Sequence, residues 1–212
     1  MSKSFGLKIV GVFAFVLMVS GCTKIPTGAV KNNKVTVVKL AIAMGADVNV
    51  KSKGGRTALM SAALNNSLGV AKLLIKKGAD INAKTEDGIT VLMTAADWNS
   101  MDVAKLLIEK GADVNAKTDN GETALMKAVQ RNSLETAKLL IGKGVDVNAK
   151  DKYGMTALMS VAFFNSQEVA KLLIAEGADV NAKTKGGGTA LQWAKNKGHQ
   201  QMVDLLKKHG AK

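Results

Sequence analysis

A spacing of 33 residues recurs along the chain and decides what it can fold into. The string G-x-T-[AV]-L starts at Gly55, Gly88, Gly121, Gly154 and Gly187, and G-[AV]-D-[VI]-N starts at Gly45, Gly78, Gly111, Gly144 and Gly177. Two motifs returning on one spacing mean a stack of one small unit, each copy burying its apolar face on the next. Within a unit, Thr57-Ala58-Leu59-Met60 followed by Ala62-Ala63 reads as a short helix capped by Thr57. Asn66 stands at its end, and the same phase holds Asn99, Asn132, Asn165 and Gly198. These residue types tolerate positive φ, so a left-handed cap is predicted there. Ser67, Ser100, Ser133 and Ser166 then read as N-caps of a second helix, in which Val70, Leu73 and Leu74 form one apolar stripe. Each unit is a helix pair plus a Gly/Asp/Asn-rich hairpin loop.

This pattern resembles ankyrin repeats, over residues 34–212. The resemblance implies an all-α solenoid of helix-turn-helix units with hairpin loops. Its expected layout is a half repeat at 34–51, where Val37 to Gly45 match only a second helix, and repeats at 52–84, 85–117, 118–150, 151–183 and 184–212. Three units read T-A-L-M, the second T-V-L-M and the last T-A-L-Q, where many family members have T-P-L-H, which removes a His that the family often uses for hydrogen bonds. Gln192, Lys195, Asn196, Lys197, Gln200 and Gln201 give the last repeat the polar face a terminal cap needs.

The first residues carry a different signal. Lys3 and Lys8 precede an apolar run from Ile9 to Val19, which is followed by Ser20, Gly21 and Cys22. Eleven apolar residues rise about 16 Å as a helix, half of a bilayer core, so residues 1–21 read as a secretory leader rather than a membrane span. V-S-G-C looks like the lipobox of bacterial lipoproteins. That likeness implies removal of the leader and acylation of Cys22 as the new first residue. It also implies a lipid-anchored place in the bacterial envelope, facing the periplasm. Thr23, rather than Asp, after the Cys tilts the expectation toward the outer membrane over the inner. Residues 22–33, with Pro26 and Gly28, read as a flexible tether.

Several chemistries are disfavoured. One Cys and two His leave no internal disulfide, no Cys-based zinc or iron–sulfur site and no His cluster. The pairs Asp80/Asn82, Asp113/Asn115 and Asp146/Asn148 occur once per unit, too far apart to share one calcium shell, and read as turn residues. No G-x-S-x-G elbow or G-x-x-x-x-G-K-[ST] loop is present, and His199 and His209 lack a nucleophilic or acidic constellation. No enzyme activity, cofactor or metal is therefore expected. The formal charge of +13 falls to +11 without the leader's two Lys. Lys39, Lys72, Lys105, Lys138 and Lys171 repeat on the second helices, and Lys51, Lys84, Lys117, Lys150 and Lys183 in the loops. Cations locked to the repeat read as a solvated face and not as a nucleic-acid site.

In ankyrin families the hairpin tips and the end of the first helix vary and form a concave binding surface. Carried over by phase, these positions hold Arg56 in the first repeat and Ile89 and Trp98 in the second. The third has Glu122, Gln130 and Arg131, and the fourth Tyr153, Met155, Phe163 and Phe164. Five aromatics remain after the leader, and all but Trp193 lie on these positions. Aromatics and Arg anchor protein interfaces. The expectation is a monomeric, non-catalytic scaffold that binds a protein partner through an aromatic patch around the polar third repeat. Alternatives are a periplasmic immunity-type inhibitor of a toxin or enzyme, and a surface-exposed host-contacting protein.

Overall fold

The computed structural model describes residues 24–212. Cys22 and the leader lie outside the described residues. Each first helix begins where a Thr hydroxyl accepts the amide N–H three residues on. Thr57 takes that of Met60 at 3.3 Å, and Thr90, Thr123, Thr156 and Thr189 repeat the bond. The Asn at the helix end is left-handed, with φ of 48° at Asn66, 51° at Asn99, 54° at Asn132 and 60° at Asn165. Both features follow the sequence reading.

Twelve helices are found among the described residues, in six antiparallel-reading pairs. The pairs are α1 Thr27–Lys31 with α2 Val35–Ala43, α3 Ala58–Leu64 with α4 Leu68–Lys76, and α5 Val91–Asp97 with α6 Met101–Glu109. They continue as α7 Ala124–Gln130 with α8 Leu134–Ile141, α9 Ala157–Phe164 with α10 Gln167–Ala175, and α11 Ala190–Asn196 with α12 Gln200–Lys208. None of these helices is long and apolar enough to cross a bilayer. First helices pack on first helices more closely than second on second. The core is Ala, Val, Leu and Met, with Leu59, Leu92, Leu125 and Leu158 buried on the first helices and Leu74, Leu107, Leu140 and Leu173 on the second. Small residues let the helices approach, and rings are not needed.

Two expectations are corrected. Residues 27–31, read as part of a flexible tether, form α1, which packs on α3 with Ala29 and Val30 buried, and Ile25 is buried just ahead of it. Among the described residues the array therefore opens on a complete helix pair and not on the half repeat expected at 34. Pro26 holds the N-cap position of this helix, where its carbonyl accepts from Val30 N at 3.2 Å and no amide is needed, and Asn33, with φ of 50°, takes the same left-handed role as Asn66. The Ser residues of the second helices hold the N-cap position, yet none of their hydroxyls caps its own helix. They are buried between units, where Ser67 Oγ donates to Val30 O at 2.8 Å. At α4 and α6 capping comes from the preceding unit, since Asn33 Oδ1 accepts from Val70 N at 2.9 Å and Asn66 Oδ1 from Val103 N at 3.2 Å, while Asn99 Oδ1 accepts instead from the Thr136 hydroxyl at 3.1 Å. His199 stands in the Ser phase, and its Nδ1 lies 3.1 Å from Ala162 O, the same link to the preceding pair.

The loops are fastened in the same manner. Asp80 Oδ1 accepts from Asn82 N at 2.9 Å, closing a local turn, while Asn82 Oδ1 accepts from Asp113 N at 2.9 Å in the following unit. Asp113/Asn115 and Asp146/Asn148 do the same, so these side chains are occupied as turn and ladder groups. Successive hairpin tips also join directly: Lys152 N donates to Asn120 O at 2.7 Å, and Lys185 N to Tyr153 O at 2.9 Å. The close approach explains one glycine. Gly154 has φ of 80°, and a Cβ there would sit 2.9 Å from Lys185 N.

Candidate partner-binding surface

The first helices and hairpin tips share one side of the stack, and the residues that depart from the repeat pattern cluster there in two groups. The first group is a groove between the repeats at 52–84 and 85–117. Arg56, Met60, Leu64, Ile89, Met93 and Trp98 line it, together with Asp97 and Lys127. Trp98 caps the C-terminus of α5 and is 55% exposed. Arg131, which ends α7, reaches back across the repeat boundary. Its Nε donates to Asp97 Oδ1 at 3.0 Å, and its guanidinium carbon lies 5.8 Å from the centre of the Trp98 ring. The hydrogen bond to Asp97 and then its negative charge hold the guanidinium above its ordinary pKa. Arg131, like any arginine charged throughout the ordinary pH range, sits beside an open indole face, a pairing suited to contact with another molecule.

The second group lies at the repeats 151–183 and 184–212. Phe163 is half-buried, edge-on to Trp193 with ring centres 5.8 Å apart and to Phe164 at 5.0 Å. Lys197 Nζ lies 4.1 Å from the Phe163 ring centre. Phe163 therefore joins two units, while Phe164 at the end of α9 is 51% exposed. Tyr153 is 61% exposed on its hairpin tip, with Lys152 Nζ 5.0 Å from its ring centre. Met155 and Ile89 are half-buried, packed on the core beneath the tips. Trp193 is half-buried, its indole N–H without a partner.

Between the groups lies the third repeat. Glu122 does not stand free: Lys127 Nζ binds its Oε2 at 2.6 Å, with side-chain exposures of 26% and 16% for Glu122 and Lys127. Gln130 is exposed at the end of α7. Asp97 lies on the helix-end phase of the sequence reading, whereas Lys127 is a residue of this surface that the reading did not select. The signal for Lys127 was present, since its phase holds Ser61, Thr94, Ser160 and Trp193 elsewhere, so a cation there breaks the pattern.

Stacked helix pairs with linked hairpins, left-handed Asn caps and a variable inner side define a solenoid repeat protein. A family model for ankyrin repeats matches residues 27–118 and 116–184, most of the chain, and its first match begins at the first residue of α1. The chain belongs to the ankyrin-repeat family. Such repeats are in general protein–protein interaction modules, typically non-catalytic scaffolds. No match is found among curated proteins.

Proposed function

We propose that the chain is a non-catalytic scaffold that binds a protein partner through the side formed by its first helices and hairpin tips, held at a bacterial envelope by acylation of Cys22 and facing the periplasm. One observation carries the binding reading. Trp98, Tyr153 and Phe164 are each more than half exposed, and Val35 is the only other exposed large hydrophobic among the described residues. Large rings left in water at the variable positions of a repeat, with Arg131 held over one of them, have the make-up of interface anchors. The V-S-G-C sequence supports the anchor. An adaptor and an immunity-type inhibitor use the same surface, and a partner whose activity falls on binding assigns the second role.

The test is recovery of partners from detergent-solubilised envelopes with the protein and with its Trp98→Ala/Tyr153→Ala/Phe164→Ala variant. The expected result is a protein that co-purifies with the first and is lost with the second. Equal recovery by a variant of unchanged helical content overturns the surface.

A further inference from the structure

The groove between α3 and α5 has an apolar lining whose polar groups are already taken. Met60 and Met93, each at most 2% exposed, lie deepest, and Leu64, Ile89 and Trp98 stand around them. Ser61 Oγ donates to Thr57 O at 3.3 Å and Thr94 Oγ1 to Thr90 O at 3.0 Å, each back along its own helix. Thr85 Oγ1 accepts from Ile89 N at 3.1 Å. Asp97 Oδ1 is held by Arg131 Nε at 3.0 Å, and Lys127 Nζ by Glu122 Oε2 at 2.6 Å. Arg56 is the exception. It is exposed and takes part in no ion pair among the described residues. A second depression that Arg56 also lines contains one carboxylate, Asp47, which accepts from Asn49 N at 2.9 Å and does not pair with the guanidinium.

Volume and charge then decide what can enter. The groove holds about 120 Å³, and a cavity of about 150 Å³ lined by aliphatic groups takes one benzene ring. That is room for a single large side chain and not for the face of a helix. A polar side chain would give up its water and find no free donor or acceptor in the lining. At the rim, the fork of donors on an unpaired guanidinium fits a carboxylate. We propose that the groove receives one Leu, Ile, Met or Phe side chain of the partner protein, with an Asp or Glu of the same segment bound by Arg56. This rests on the partner-binding reading above and adds to it a sequence preference.

Peptides from a random phage-displayed library are selected on the full chain in detergent, after binders of empty micelles are removed. The expected enrichment is a large apolar residue with Asp or Glu close to it in sequence. The most enriched peptide, made synthetically, is titrated against the full chain carrying labelled Met methyl groups. It should shift the signals of Met60 and Met93 and leave Met155, beneath the fourth hairpin tip, and Met101, at the start of α6, in place. Replacing its acidic residue by the amide should weaken binding about threefold, as for an exposed ion pair, and the difference should disappear with Arg56→Gln. Replacing its apolar residue by Ala should weaken binding at least about tenfold. No enriched peptide, an enriched set without carboxylates, or equal affinity of the acid and amide forms overturns the proposal. Shifts at Met155 with none at Met60 or Met93 remove the groove and keep the partner-binding side; shifts at Met101 alone remove both.

Discussion

Asn33 Oδ1 accepts the Val70 N–H at 2.9 Å, so a residue of the leading helix pair caps the second helix of the next. Its own backbone is left-handed, with φ of 50°. One side chain thus does two things: it turns the chain between α1 and α2 and fills an amide that Ser67 leaves open.

Asn33→Ala loses both roles and is expected to lower stability by about 2 kcal/mol, whereas Asn33→Gly keeps the turn and loses less than half as much. Urea midpoints check this. An unchanged midpoint for the Ala variant would show that residues 24–51 do not fold with the rest.

Gly154 and Gly187 share φ of 80°, but only Gly154 has a following hairpin against it; nothing lies within 4 Å of a Cβ at Gly187. Gly187→Ala should cost about 1–2 kcal/mol for the backbone alone. Gly154→Ala should cost at least about 1 kcal/mol more, because Lys185 N stands in the way. Equal losses in thermal or urea unfolding would contradict the linked-hairpin account.

Phe163 and Phe164 are adjacent and do different work. Phe163→Ala removes edge contacts with Trp193 and should cost about 1–2 kcal/mol. Phe164→Ala should change stability by less than about 0.5 kcal/mol and reduce partner recovery. A stability loss at Phe164 and none at Phe163 reverses the assignment.

The repeat spacing made the solenoid, the Thr caps and the left-handed Asn readable in the amino acids, because each is set by contacts within a unit. What escaped depends on the neighbouring unit. The leading helix lacks the G-x-T-[AV]-L string, and its Pro and Gly imitate a linker. The one in-phase signal was Asn33, 33 residues before Asn66. The Ser residues sit where an N-cap belongs, but burial against the preceding pair turns Ser67 toward Val30 O. The surface positions were found by phase. Which of two adjacent Phe packs inward was settled by Trp193, a residue of the next unit.

Arg131 restrains Trp98 through its pair with Asp97. In a Trp193→Phe background, where Trp98 is the one remaining indole, Arg131→Ala should raise acrylamide quenching of its fluorescence. Helical content and the unfolding midpoint should barely move, since Arg131 is an exposed side chain. Unchanged quenching would mean that the guanidinium does not rest on the ring in solution.

The central claim is that a protein partner contacts the first-helix side of the stack. Photo-crosslinking residues placed at 98, 153 and 164, and separately at the exposed second-helix positions 72, 105, 138 and 171, test it in intact envelopes. The account predicts a discrete higher-mass adduct from the first set and none from the second. Adducts from the second set, with none from 98, 153 or 164, would contradict it.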